Sequence, residues 1–183
     1  MRPFAVGIDP SLTGTAIAWL GVTTLRKGEG DARLLAIHKA VSESVSVQRF
    51  ESFAVVEDLP YNARSAGATG LAHGVVRLAL QQAKVPYILI PPATLKAYAT
   101  GKGNATKADM RMAWFKRTGE DIRDDNQVDA LWLRDIGRFA VGDQLALKLP
   151  RAQRERLLKL EWPADIAARL LEPYERAVQE VAP

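Results

Sequence analysis

Three acidic residues of this chain stand where carboxylates can act together. Asp9 and Glu57 each end a short apolar run, FAVGID and FAVVE, and Asp129 lies within an apolar helical pattern. Both runs are typical of buried strands, and parallel pairing would bring Asp9 and Glu57 to the same end of a sheet. A single such acid is usually a cap or a surface charge. Clustered carboxylates repel one another, and Mg²⁺ or Mn²⁺ relieves that repulsion through oxygen ligands. The combination therefore predicts a site for two metal ions, the arrangement used for in-line displacement at phosphorus.

Two neighbouring residues are candidates for a fourth oxygen ligand of the metal ions. Asp125 lies four residues before Asp129 and Asn126 lies three before it. Either spacing places the side chain on the same helix face as Asp129. Both residues are therefore candidate metal ligands.

Positive charge is concentrated in one part of the chain. The whole sequence carries a net charge of +4, yet the segment from Lys96 to Arg117 holds six basic residues and one acid, Asp109. A local basic stretch favours an anionic partner, usually nucleic acid. The alternative is a solvated helix face.

The elements that must position these residues follow from the periodicity of the sequence. Three consecutive strands favour an antiparallel meander, and the later alternation of helices and strands favours parallel additions to the same sheet. We therefore predict an α/β fold: a mixed sheet flanked by helices over residues 1–141, with a helical C-terminal extension over 142–183 packed on it. The predicted strands are 4–9, 15–20, 22–26, 53–57 and 86–90, and the predicted helices are 31–45, 66–84, 94–99, 106–117 and one from Asp124 or Asp125 to Ile136. On the first helix, the expected apolar face is formed by Leu34, Leu35, His38, Val41 and Val45.

Length and composition exclude several classes of protein. The chain has 183 residues, two histidines and no cysteine, so thiolate metal sites and histidine-rich sites are excluded. Actin-like and sugar-kinase ATPases share the opening strand that ends in Asp, but they need two such domains, which this length cannot supply. No apolar run reaches 18 residues and the opening lacks an apolar signal segment, so we expect no membrane partner and a cytoplasmic location.

At this point a family resemblance becomes visible. The segment Gly7–Ser11 followed by Thr13–Ala16 resembles the opening of the RuvC-type Holliday junction resolvases, a branch of the RNase H-like nuclease superfamily. Further segments are similar to that family in the same order, over about residues 4 to 137. They are Phe53–Glu57, Asn62–Ala66, Gly70–Val75, Pro92–Lys96, Thr100–Gly103, Ala105–Lys107 and Asp125–Leu131.

The resemblance implies an RNase H-like fold, a homodimer and metal-dependent endonuclease activity. The substrate would be branched DNA, chiefly four-way junctions, cut by paired nicks that leave 5′-phosphate and 3′-hydroxyl ends. Asp9, Glu57 and Asp129 would be catalytic ligands of two Mg²⁺ or Mn²⁺ ions, and Lys107 would offset charge on the phosphate. The chain departs from the family at Asn126, where an acid is common, so Asp125 is the alternative fourth catalytic ligand.

The resemblance and the basic stretch together give a set of DNA-binding candidates. Tyr61 could wedge into the junction centre or simply pack on the following helix. The small residues of 66–74 indicate close approach of another backbone, either the partner's helix or the protein's own sheet. The DNA-binding candidates are Tyr61, Asn62, Arg64, Lys96, Lys102, Lys107, Arg111 and Lys116.

Three readings of the resemblance remain open. A broader nuclease for forks and flaps and a catalytically weak junction-binding protein share the same residues. The compact helix between Arg26 and Phe53 and the neutral helical tail also resemble phage-encoded members, which would act in the host cytoplasm.

Overall fold

The computed structural model describes residues 3–26, 28–46, 52–59, 66–164 and 166–167. The strands are β1 (Phe4–Asp9), β2 (Thr15–Ala18), β3 (Val22–Leu25), β4 (Ser52–Glu57) and β5 (Tyr87–Ile90). The helices are α1 (Gly30–Ser46), α2 (Ala66–Gln82), α3 (Pro92–Thr100), α4 (Lys107–Thr118), α5 (Asp125–Ala140) and α6 (Arg151–Arg154), and a 3₁₀ turn covers Glu155–Lys159.

The five strands form one mixed sheet in the order β3-β2-β1-β4-β5. The first three strands pair antiparallel, whereas β4 pairs parallel to β1 and β5 pairs parallel to β4. Ile8 stands opposite Val56, so the next residues, Asp9 and Glu57, end neighbouring strands side by side. The predicted meander with parallel additions is confirmed.

Alternating residues of the strands contribute to two separate apolar cores, one on each face of the sheet. On β4, Phe53 and Val55 face the core shared with α3, α4 and α5, while Ala54 and Val56 face the core shared with α1 and α2. Successive side chains of a strand point to opposite faces, so each layer of helices covers one side. Helix α5 packs mainly against β1, the strand that ends in Asp9.

Glycine makes that packing possible. A Cβ atom at Gly7 of β1 would lie 2.1 Å from the backbone oxygen of Ala130 and 2.3 Å from the backbone nitrogen of Arg134. On the other side of the contact, a Cβ atom at Gly137 would lie 2.9 Å from the Cβ atom of Ala5. The backbones of β1 and α5 therefore touch directly, one turn from Asp129.

The expected apolar face of α1 is partly wrong. Val41 and Val45 are buried, but Leu35 is 71% exposed and Ile37 occupies the core instead. His38 lies at the edge of this face, where its Nε2 atom is 2.7 Å from Oε1 of Gln82 on α2. The buried positions 37, 41 and 45 follow the four-residue spacing of a helix, so only one of the neighbouring Leu34 and Leu35 can approach them.

Residues after α5 pack into the core on the α5 side of the sheet. Leu149, Leu157 and Ile166 join the core beside α3 and α5. The Asp135 carboxylate accepts hydrogen bonds from the Leu147 backbone nitrogen (2.8 Å) and from the Tyr98 hydroxyl (2.9 Å). The part of the predicted helical extension that follows Trp162 falls largely outside the described residues. Within the part of the chain that the structure describes, every helix is too short or too polar to cross a membrane.

Candidate active site

Asp9, Glu57 and Asp129 meet at one end of the sheet. One carboxylate oxygen from each lies within 4.8 Å of the others. Parallel pairing of β1 with β4 brings the first two together, and the close contact of α5 with β1 adds the third. Asp9 is 6% exposed and Asp129 is 3% exposed, so the cluster is largely withdrawn from water. The three predicted principal ligands are thus neighbours in space.

Burial and mutual repulsion disfavour the ionised forms of these acids. Burial, with the nearby charge of Asp129, raises the pKa of Asp9 from 3.8 to about 6. Burial and the charge of Asp9 raise the pKa of Glu57 well above its usual range. Burial also raises the pKa of Asp129, although Lys107 opposes that shift. Such a cluster gains from a nearby cation.

Lys107 supplies one positive charge to the cluster. Its Nζ atom donates to a carboxylate oxygen of Asp129. Burial works against the charged lysine, but Asp129, Glu57 and Asp9 together raise the pKa of Lys107. A capping box lies at the start of α4: the Thr106 side chain accepts from the Asp109 backbone nitrogen, and the Asp109 side chain accepts from the Thr106 backbone nitrogen. This capping box starts α4 at Lys107 and so fixes the lysine beside the acids.

The two candidates for a fourth ligand are placed differently. Asp125 is exposed and is not part of the three-carboxylate group, although its charge contributes to the raised pKa of Asp129, after burial. Asn126 is partly buried, and its Nδ2 atom donates to the backbone oxygen of Gly14 at 2.9 Å. Asn126 therefore ties the start of α5 to the turn that follows Asp9.

A neighbouring residue that the sequence did not single out as functional reinforces this tie. Asp124 caps α5 and accepts a hydrogen bond from the Asn126 backbone nitrogen. Its other oxygen accepts from the Thr24 hydroxyl (2.7 Å) and from Nη2 of Arg26 (2.9 Å). An acid before a helix is a readable capping signal. Its partners lie about a hundred residues away, so no local pattern indicates them.

The basic candidates are spread over the surface beside the cluster. Lys102, Lys107 and Lys116 are exposed, and Lys96 is close enough for its charge to act on Asp129. Arg111 is paired with Asp121. Arg117 points inward: its guanidinium lies 5.7 Å from the Trp132 ring centre and donates to the Ala113 oxygen. Tyr61, Asn62 and Arg64 lie outside the described residues.

The donor set matches a hard divalent cation. All three side chains offer oxygen, and burial followed by mutual repulsion raises the pKa values of Asp9 and Glu57, which favours an oxygen-bound cation at this point. This group can hold a metal ion.

A five-stranded mixed sheet of this order, with carboxylates at the ends of the neighbouring strands β1 and β4, is the arrangement of the RNase H-like nucleases. The family model described as crossover junction endodeoxyribonuclease RuvC matches residues 5–131. The chain belongs to this RuvC family.

Curated relatives and solved structures agree with this assignment. The chain is similar to crossover junction endodeoxyribonuclease RuvC of Salinispora arenicola, with 31% identity over 81% of this chain and 96% of that protein. The corresponding protein of Carboxydothermus hydrogenoformans is 29% identical over 76% of this chain and 98% of its own length. The structure of Thermus thermophilus RuvC aligns with a TM-score of 0.60 and 25% identity, covering 79% of this chain and 98% of that one.

A second structure adds to the evidence for the fold. It is T. thermophilus RuvC in complex with a Holliday junction substrate, and it aligns with a TM-score of 0.65 and 24% identity. The alignment covers 80% of this chain and 99% of that one.

Proposed function

We propose that this protein resolves four-way DNA junctions by paired, metal-dependent nicks that leave 5′-phosphate and 3′-hydroxyl ends. The observation that carries the proposal is the group of three carboxylates within 4.8 Å beside a lysine, in a chain of the RuvC family. The proposed compartment is the cytoplasm, where a DNA junction would be met.

Asp9, Glu57 and Asp129 are the proposed ligands of two Mg²⁺ or Mn²⁺ ions, with Asn126 or Asp125 as an additional oxygen donor. When bound, such ions activate a water and stabilise the leaving oxygen of a phosphodiester. Asp9 lies between the other two acids in sheet and helix packing, so it is the natural shared ligand. The backbone contacts of β1, β4 and α5 hold the carboxylates in place before substrate arrives, which lowers the cost of ordering the site.

Lys107 is the proposed stabiliser of the phosphate undergoing reaction. Its side chain is about half exposed although its ammonium contacts Asp129, so the same charge can also face a bound strand. A preorganised cation at this point opposes the negative charge that develops on the phosphate. Lys96, Lys102 and Lys116 would hold neighbouring phosphates, which positions DNA without reading its sequence. Tyr61, Asn62 and Arg64 keep their proposed DNA contacts from the resemblance alone.

We propose a homodimer through the outward face of α2. Gly67, Gly70 and Gly74 have open space where a side chain would stand, and Leu71 and Leu78 are more than half exposed. These glycines therefore do not serve packing against the protein's own sheet, the other explanation offered by the sequence. A symmetric pair suits a substrate that needs two opposed cuts.

The dimer is tested by the mass in solution at micromolar concentration. The wild type is expected at twice the chain mass, and Leu71→Glu at the chain mass. Leu35→Glu, which replaces a still more exposed leucine on α1, is the matched control and should stay dimeric. A monomeric wild type would remove the dimer from the proposal.

The nuclease function is tested on synthetic four-way junctions, forks, flaps and linear duplex, each with Mg²⁺, Mn²⁺ or EDTA. Symmetric cutting of the four-way junction alone, dependent on metal, is the expected result. Equal cutting of forks and flaps would replace the proposal by a broader branched-DNA nuclease. Junction binding with no cutting in either metal would replace it by a junction-binding role.

A further inference from the structure

Helix α4 has an apolar face that its packing does not use. Its inner face buries Met110, Ala113 and Trp114 against the core. On the opposite side, Met112 is 50% exposed and Phe115 is 45% exposed. A helix that is otherwise basic thus shows a sulfur-containing side chain and an aromatic ring to its surroundings.

These residues form a defined groove of about 410 Å³, called here the α4 groove. Its lining consists of Ala108, Arg111, Met112, Phe115 and Asp121. Asp121 would repel an anionic ligand, but its carboxylate accepts from Nε (3.0 Å) and Nη2 (2.5 Å) of Arg111. The rim charge is therefore balanced, and the floor is apolar.

The lining of the α4 groove starts one residue after Lys107, the lysine that contacts the proposed active site. Lys107, the first residue of α4, contacts Asp129, and Phe115 follows eight residues later. At 1.5 Å per residue, the ring stands about 12 Å along the helix from the lysine. That span corresponds to about three to four nucleotides at the ~3.4 Å spacing of one strand of duplex DNA. By helical geometry, Lys116 flanks the apolar stripe on one side, while Arg111 and Lys107 flank it on the other.

We propose that the α4 groove receives an unstacked base of the junction strand that is being cut, with the base against the Phe115 ring and Met112. This inference rests on the proposed function and adds a base contact to its phosphate contacts. A strand is the occupant that fits, because Lys116 borders the stripe, the Arg111–Asp121 pair leaves the rim without net negative charge, and the groove leads away from the proposed catalytic lysine. Aromatic rings accept any base face, so the contact is tolerant of sequence. Bases near a branch point are already partly unstacked, so moving one into the groove costs less free energy there than in linear duplex. The groove therefore favours branched over linear DNA.

The experiment uses the full chain with Asp129→Asn, which is expected to bind without cutting. Four-way junctions carry 2-aminopurine, a base whose fluorescence rises on unstacking, at each position up to six nucleotides on either side of the cut. Binding should raise fluorescence at a position about three to four nucleotides away, on one side. Adding Phe115→Ala should remove that rise and weaken junction binding roughly 5- to 100-fold. Phe115→Tyr should retain both effects, and Phe115→Leu should fall between.

The matched control is Leu35→Ala, which removes an exposed leucine from α1 on the opposite face of the sheet and should change neither signal. Thermal melting checks that each variant is folded, and Phe115→Leu carries the test if Phe115→Ala is not. If Phe115→Ala changes neither the fluorescence rise nor the junction affinity, the proposed base contact in the α4 groove is wrong. Junction cutting by the chain with Asp129 intact would still support the proposed function in that case. A change in self-association alone would also overturn the base contact. Failure of the wild type to bind or cut junctions would overturn both.

Discussion

The acidic cluster and the basic segment from Lys96 to Arg117 are neighbours in the structure but differ in how their side chains are held. The acids are buried, and backbone packing of β1, β4 and α5 sets their positions. Most of the lysines stand in solvent on α3, α4 and the loop between them. The chemistry therefore depends on a few atoms held closely, whereas binding is shared among many replaceable charges.

Lys107 is the point where the two regions meet. It is the first residue of the basic helix, yet its ammonium contacts a buried carboxylate. It should behave as part of the cluster in cleavage and only slightly as part of the surface in binding.

The contrast predicts the largest effect at the buried acids. Asp129→Asn keeps the shape of the side chain but removes a proposed metal ligand, so we expect junction cleavage to fall by at least about 10³-fold. Junction affinity should stay within a few-fold of wild type, as measured by gel shift in Ca²⁺. A similar loss of both affinity and cleavage would contradict the separation of the two regions.

Lys107→Ala should come next. Removing one cation that stabilises the reacting phosphate is expected to lower the cleavage rate of bound junction by about 10²- to 10³-fold. Single-turnover assays at saturating protein isolate that step from binding. Lys107→Arg keeps the charge and should recover part of the rate, and a purely electrostatic surface role would instead leave the single-turnover rate intact.

Removing the metal should turn the cluster into a source of instability at neutral pH. The pKa of Asp9 is raised from 3.8 to about 6 in the folded protein, chiefly by burial and then by Asp129. The folded state therefore holds this proton more tightly than the unfolded chain, so its contribution to stability is present below about pH 4 and is lost as pH rises through about 6.

This effect is checked with Asp9→Asn in EDTA. At pH 8 the variant should be more stable than the wild type by up to roughly 3 kcal/mol, and at pH 4 the two should be nearly equal. Urea unfolding across this range measures the difference. Excess Mg²⁺ should reverse the order at pH 8, and parallel stability curves in EDTA would contradict the assigned cause.

The smallest effect is expected at a single surface lysine. Lys116→Ala should weaken junction binding by only a few-fold at moderate salt and reduce the slope of log affinity against log salt by about 0.9. The cleavage rate of bound junction should not change. Lys39→Ala on α1, which removes another exposed lysine, is the control. A loss as large as that of Lys107→Ala would show that binding also depends on single residues.

Local patterns in the sequence were sufficient to predict the strands, their order along the chain and the three acids that meet at the end of the sheet. Each acid follows or interrupts an apolar run, and parallel pairing alone brings two of them together. The face of α1 was partly wrong at Leu35, because adjacent leucines fit two helical registers until the packing of Ile37 decides between them. The ties from Asp124 to Thr24 and Arg26 join residues about a hundred positions apart, which no local pattern encodes. The phage origin and the limits of the C-terminal extension stay predictions.

Gly7 sets the distance between β1 and α5, and substitution at this position can change that distance. The missing side chain two residues before Asp9 determines how near α5 can come, and so how far Asp129 stands from its partners. A graded series at this position, Ala, Ser and then Val, would push the helix outward in steps while every proposed ligand keeps its chemistry. The separation of the carboxylates could then be varied as an experimental coordinate, with cleavage rate as its readout.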